Sequence, residues 1–523
     1  MQSYVDDLKP RQAPVGPPTG VKPDGMRPRV FWLAFAGVCL LGLLLRLPTL
    51  ASKSLWLDEA FSAWFSARPL HELWTDVPRY ELHPPMYYTL LKGWSDLFGT
   101  SESALRSLSV SASVLTIVVV ARAGTILRFA GGGDAVALAA ALLLAVNAGS
   151  IKYAQEARPY ALESLFATIA VLSAMRLLQS LMRERVHFSK DVLLTALVLG
   201  VSTGAAMWMH DTAVVIAYGI GVGMVATLLV HAPAQRGRQA LILGGAGLVA
   251  IAIWSPMLPM LAMQSANLAS MPFWVSARAS DVLDAWSLVT GGGKSLLICL
   301  GSMILAGLFA LWRRRRPAAL FLTIVLFLPL ASILLVSVLV KPIFIARIFE
   351  WLTPAAMILA AGAMLGLPSR AWRIGAFAVI LGLSAKATLA SYRLQQEDWR
   401  GIVQVIASQA KPGDLVIGIQ NGVGLAIDYY ARGQAFPEVL YLPGPFPARG
   451  LHREYIGNLG MPRINAEDIA TEHAHLAHHG RVWLVERNAP AYDPGDLVRA
   501  EVAAHFTLRK RTESGWIVYE LYD

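Results

Sequence analysis

The stretch Arg313-Arg-Arg-Arg-Pro-Ala-Ala-Leu-Phe-Leu-Thr-Ile-Val-Leu-Phe-Leu-Pro-Leu-Ala-Ser-Ile-Leu-Leu-Val-Ser-Val-Leu-Val340 decides the class of this chain. Four arginines precede a run with no further charge, long enough as a helix to cross about 30 Å of hydrocarbon. A lone segment in lipid satisfies its backbone only as a helix, so 318–340 reads as a membrane span with a basic turn at its start. Comparable runs occupy 30–50, 107–127, 134–150, 160–181, 191–209, 212–230, 240–262, 295–312, 348–367 and 371–390. The expectation is a polytopic all-α membrane domain of about eleven transmembrane helices over 30–391. Composition agrees: 55% of the 523 residues are hydrophobic and 15% charged, more apolar than a soluble core under a polar surface requires. Cys39 and Cys299 both fall within spans and are expected to be free thiols.

The basic residues set the expected orientation. Arg128, Arg183, Arg185, Lys190, Arg236, Arg238, Arg313 to Arg316, Arg370 and Arg373 all fall in alternate turns, and Lys22, Arg27 and Arg29 join them at the head of the chain. The positive-inside rule makes that side cytoplasmic. This clustering explains the net charge of +10 without invoking nucleic acid. Residues 1–29, rich in proline and without an apolar run, read as a disordered cytoplasmic tail and not as a cleaved signal peptide. The loops 51–106, 150–160, 263–294 and 341–347, and everything after about 391, then face outward, as the periplasm does in a bacterial inner membrane. The 51–106 loop carries a heavy aromatic load, and Phe61, Trp64, Phe65 and Arg68 at helical spacing predict a short helix in the interface. From 392 to 523 the pattern changes: 414–419, 438–442 and 481–486 read as strands, 400–410, 424–432 and 466–479 as helices, and 506–522 as a hairpin. This predicts a small, largely parallel α/β domain.

Asp58 and Glu59, just past the first span, are the candidate chemistry, because a carboxylate at a membrane surface costs free energy unless it is paired, hydrated or used. The expected topology gathers them with Lys53, His83, Arg158 and Arg347. Asp58 can take a proton from a hydroxyl nucleophile. The four basic groups can hold an anion such as phosphate, helped by the N-termini of the spans that begin near Pro159 and Arg347. Glu59 points elsewhere on a helix and is given a supporting role. Glu156 and Tyr160 join as neighbours of Arg158; a simple Glu156–Arg158 pair and an interfacial tyrosine are the bland alternatives. Arg46 and Lys53 read as snorkelling interface residues, and the same plain reading is the alternative for Arg158 and Arg347.

Leu57-Asp58-Glu59-Ala60, His83-Pro84-Pro85-Met-Tyr-Tyr88, Tyr153-Ala-Gln-Glu-Ala-Arg-Pro-Tyr160, Arg347 with Pro354, Glu397-Asp-Trp-Arg400 and Pro412-Gly-Asp414 occur in this order. With them the chain resembles the integral-membrane glycosyltransferases of the GT-C superfamily, in the RgtA/B/C/D-like group related to protein mannosyltransferases and aminoarabinose transferases. The resemblance covers essentially everything after residue 30. It implies a polyprenyl-phosphate sugar donor and inverting transfer to a hydroxyl of a lipid, polysaccharide or protein on the outer side, with Asp58 as base. Related aminoarabinose transferases carry Lys-Pro-Pro where this chain has His83-Pro84-Pro85. His83 can therefore contact donor phosphate or, with Glu81 or His210, hold a divalent metal; both readings stay open.

Two further features have plainer explanations. His473, His475, His478 and His479 with Glu472 suggest a metal, but no third ligand of matching spacing follows, so a solvated helix end is expected. Gly418 to Gly424 lacks the full glycine fingerprint of a phosphate loop. A lipid or sugar transporter would need charges deep in the spans and a repeat relating two halves. A non-catalytic scaffold would leave the Asp58 and Arg158 loops without a purpose.

Overall fold

The computed structural model describes residues 26–523 except 184, 233–234, 271–277, 279 and 395–396. Most of the expected tail, 1–25, lies outside the described residues. Among those described, nine helices are long and apolar enough to cross a membrane, and a tenth is obtained if the pair Gly124–Ala130 and Asp134–Val146, bent by 100°, counts as one. Helix Pro28–Leu44 adds a shorter apolar element at the expected first span.

The boundaries differ from the sequence reading where polar side chains turn inward. The first helix stops at Leu44, short of Pro48, which disfavours helix in the residue before it. Arg46 does not snorkel. It is fully buried and donates to the carbonyls of Gly42, Leu144 and Ala145 and the hydroxyls of Ser113 and Ser150. The 134–150 run breaks at Asn147, which ends one helix and caps Ala148–Ala154 by accepting from the Ser150 amide at 2.9 Å. The second span starts at Glu102, five residues earlier than the hydropathy pattern, under a Ser101 cap. Close approach of Lys190–Met207 and Arg236–Trp254 depends on Gly200, where an added Cβ would lie 2.5 Å from the Ala246 carbonyl oxygen.

The basic turns meet at one end of the bundle. Gly131 lies against the Arg315 side chain, and Arg238 donates to the Val186 carbonyl at 2.9 Å. The opposite end carries the α/β domain, whose sheet has the order β2-β1-β3-β5-β4. Strands β1 (Asp414–Ile419), β2 (Glu438–Leu442) and β3 (Arg481–Arg487) are parallel. β4 (Leu508–Ser514) and β5 (Ile517–Tyr522) form an antiparallel hairpin on β3, turned by Gly515 at φ 62°. Every residue of β1 is buried, as the apolar run after Asp414 requires of a central parallel strand, with Asp414 itself paired to Arg481 and Trp483. The hairpin is preceded by helix Leu497–His505, which the sequence pattern had not marked.

This domain is seated on the 51–106 loop. Phe446 packs edge-on against Phe61, Trp64, Phe65 and Tyr80, and one apolar cluster runs from Leu55 through Trp399 to Tyr519. The aromatic residues expected in a lipid interface are therefore partly taken up by protein: Phe65, Tyr87 and Tyr88 are buried beneath the domain.

Candidate active site

Asp58 sits in the first turn of helix Leu57–Ser66. Two carboxylates, Glu397 and Glu59, fix that turn. Glu397, arriving from the start of the C-terminal domain, accepts the Leu57 amide at 2.8 Å through Oε2. Arg487, at the end of β3, donates to the other Glu397 oxygen at 2.7 Å. Glu59 accepts from the Trp56 amide at 3.2 Å and from the Ala157 amide at 2.7 Å.

Glu59 belongs to the scaffold. Its carboxylate is gripped by Arg106 through two bonds of 2.8 and 2.6 Å, and both side chains are almost fully buried. Arg106 also donates to the carbonyls of Leu50, Lys53 and Ser54, so one ion pair ties the 50–59 loop to the Glu102–Ala121 span. The sequence reading leaves Arg106 at the end of the outer loop, and only the helix Glu102–Ala121 takes it into the span.

Asp58 Oδ2 faces Arg347 at 3.4 Å and Arg158 at 4.0 Å; the Asp58 side chain keeps 25% of its surface exposed. Arg158, buried, donates to the Asp58 carbonyl at 3.2 Å and lies 3.4 Å from Ser62 Oγ and from His83 Nε2. His83 Nδ1 in turn pairs with Glu81 Oε1. Glu81 is held in turn by Tyr88 and, at 2.7 Å, by Asn458 of the C-terminal domain. His83 thus acts on the pocket through Arg158, and both of its ring nitrogens are engaged. Tyr160 lies with its ring 6.0 Å from both arginine head groups, and Trp56 lies beneath Arg347 at 5.6 Å. The Tyr160 hydroxyl, Trp56 Nε1 and Arg158 Nε are buried without a hydrogen-bond partner among the described residues.

Burial pushes the Asp58 carboxyl up, but Arg347 and Arg158, with Arg487 and His83, outweigh it and hold the group below the usual carboxylate range. Glu81 is likewise depressed, its burial outweighed by His83 and Arg158. Burial drives His210 well below the ordinary imidazole range, and His83, Arg158 and Arg347 push it the same way, so it stays neutral. Its ring stands 5.0 Å from that of His83, with Nδ1 accepting from Thr212. Among the described residues no three metal-ligand atoms converge around His83; the set that does converge lies in the C-terminal domain.

Of the eight residues singled out in the sequence, Asp58, His83, Arg158, Tyr160 and Arg347 are brought together. Lys53 and Glu156 line an adjoining cavity of about 70 Å³ shared with Lys152, Gln155 and Glu397. There Lys53 donates to the Ser391 carbonyl at 2.8 Å, and burial pushes Glu156 up to about 7. A wider open groove, about 460 Å³, lies elsewhere, between Trp64, Arg68, Asp428, Tyr429 and Arg432. Glu397, Arg487 and Asn458 were not legible as site neighbours, because their roles depend on how the C-terminal domain docks. Two acids also stand inside spans that looked apolar: Glu163 and Glu350, both buried.

No family model matches the sequence, and no curated protein does. Solved structures do match. ArnT from Cupriavidus metallidurans in the apo state superimposes with a TM-score of 0.62 at 15% identity, over 94% of this chain and 98% of that one. The same protein bound to undecaprenyl phosphate gives 0.59 at 14% identity, with the same coverage. The archaeal oligosaccharyltransferase AglB from Archaeoglobus fulgidus, in complex with an inhibitory peptide and a dolichol-phosphate, gives 0.53 at 12% identity, over 94% and 74%. At these identities the likeness is one of fold.

Proposed function

We propose that this chain, whose fold is that of the GT-C glycosyltransferases, moves a sugar with inversion from a polyprenyl-phosphate donor to a hydroxyl acceptor. The observation that carries the reading is the carboxylate of Asp58 set against two arginines, beside a Tyr160 hydroxyl and a Trp56 Nε1 that have no hydrogen-bond partner among the described residues. In this scheme Asp58 removes the acceptor proton as the acceptor oxygen attacks the anomeric carbon. The bond from that carbon to the phosphate oxygen breaks, and its electron pair leaves with the polyprenyl phosphate. Arg158, Arg347 and the two unused donors receive that charge, so the departing group needs no proton from the protein. Glu81 and His83 hold Arg158 in line. The basic turns at the other end of the bundle support an outward-facing site in a bacterial inner membrane; a lipid, polysaccharide or protein hydroxyl would serve as acceptor.

The test is direct. Protein reconstituted in lipid is offered synthetic polyprenyl-phosphate sugars and a crude envelope extract. Transfer of label to an acceptor is expected. Label that crosses between leaflets on an intact donor, with no transfer across the panel, would replace this reading with that of a transporter.

Donor binding should also change the base. A phosphate engaging Arg158 and Arg347 competes for the charges that depress Asp58, so its carboxyl rises toward the ordinary range in the complex. The free enzyme's Asp58 is depressed, so its share of stability is whole above the unfolded carboxyl's ordinary range and is lost as pH falls from there through the depressed value. The acid limb of kcat, which reports the complex, should therefore lie at higher pH than the limb of kcat/KM for the donor. Coincident limbs would count against phosphate binding at these arginines.

A further inference from the structure

A second candidate site lies in the C-terminal domain, away from the arginine pocket. Helices Ala466–Leu476 and Leu497–His505 pack together there and bring His473, Glu501 and His505 into one cluster, with one ligand atom from each within 4.8 Å of the others. The histidine run that the sequence offered does not form a site by itself. His475 Nδ1 is spent on the Thr471 carbonyl, and His479 Nδ1 on that of Gly413. What the sequence pattern lacked was a third ligand, and the unmarked second helix supplies two, Glu501 and His505, four residues apart on one face.

The spacing suits a small cation. Glu501 Oε1 lies 2.8 Å from His473 Nδ1 and 3.1 Å from His505 Nε2, and the two imidazole rings stand 5.0 Å apart. Two ligands about 2.0–2.1 Å from a tetrahedral zinc ion sit roughly 3.3 Å from each other, so small rotations of exposed rings would close the set.

We infer that His473, Glu501 and His505 form a divalent transition-metal site, for which Zn2+ is the best match, clamping the last two long helices of the domain together. Two imidazoles and one carboxylate favour zinc over magnesium or calcium, which take all-oxygen sets. The inference does not depend on the transfer reaction.

The test uses the full chain, without a polyhistidine tag, stripped by a chelator and titrated with Zn2+ alone. About one ion per chain should be retained after gel filtration, and Zn2+ should raise the unfolding temperature. In His473→Ala/His505→Ala the affinity should fall by about 100-fold or more, and the stabilisation should vanish. That variant should melt with wild type when chelator is present, because the replaced side chains are exposed. His478→Ala should bind zinc as wild type does. Failure of wild type to retain zinc, or wild-type affinity in the double variant, would overturn the assignment.

Discussion

Asp58→Asn is expected to slow sugar transfer by about 100- to 10,000-fold, the usual worth of a positioned general base. The substitution keeps the size and the first-turn position of the side chain. The turn itself is held by Glu397 and Glu59 through neighbouring amides, so the helix should persist. What is lost is the capacity to take a proton. Donor binding should be retained or tightened, because Arg158 and Arg347 lose the carboxylate that competes with phosphate. The measurement is single-turnover transfer with saturating donor, beside a donor-binding isotherm. A folded Asp58→Asn protein within tenfold of wild type would remove Asp58 from the base role. Weakened donor binding with an unchanged single-turnover rate would recast it as a binding residue.

Glu59→Gln is expected to cost about 3–5 kcal/mol of stability, because it leaves the Arg106 guanidinium buried without its counter-charge. Arg106 would still reach three carbonyl groups, but these are dipoles, not a compensating charge. Gln can still accept one bond from Arg106 or from the Ala157 amide, so the loss measures the charge more than the shape. Thermal unfolding in a fixed detergent, for Glu59→Gln and Arg106→Met in parallel, reads it out. Both should melt well below wild type. A melting point unchanged in either would mean that the pair merely fills space.

These neighbouring acids show what the sequence could and could not tell. Asp58, Arg158 and Arg347 were legible because hydropathy gave the spans, and the spans put the three residues at one end. Helical geometry also said that Glu59 points away from Asp58. It could not say toward what, since Arg106 lies 47 residues on, in a different element. The strands of the C-terminal sheet were readable from their apolar runs, and so was the hairpin. The docking of that domain was not, because Asn458 and Arg487 look like ordinary surface residues until Glu81 and Glu397 are placed opposite them. The same reason explains Arg46: an arginine near a span end ordinarily snorkels, and only the assembled bundle supplies the carbonyls that draw it inward. His473 failed as a metal ligand in the sequence for want of companions, which came from a helix with a weak pattern of its own.

The contacts on the Leu57 amide and on Glu81 come from residues 340 and 377 positions later in the chain. At about 5–20 residues per second, a ribosome needs roughly 17–75 s to travel that far. During that interval the turn that carries Asp58 has its Glu59 contacts with Arg106 and Ala157, but not yet the Glu397 carboxylate that accepts the Leu57 amide. On the proposed function, a chain that ends before Glu397 and Arg487 is expected to lack part of what aims Asp58, so the last quarter of the chain completes a site whose charged residues are all made before it.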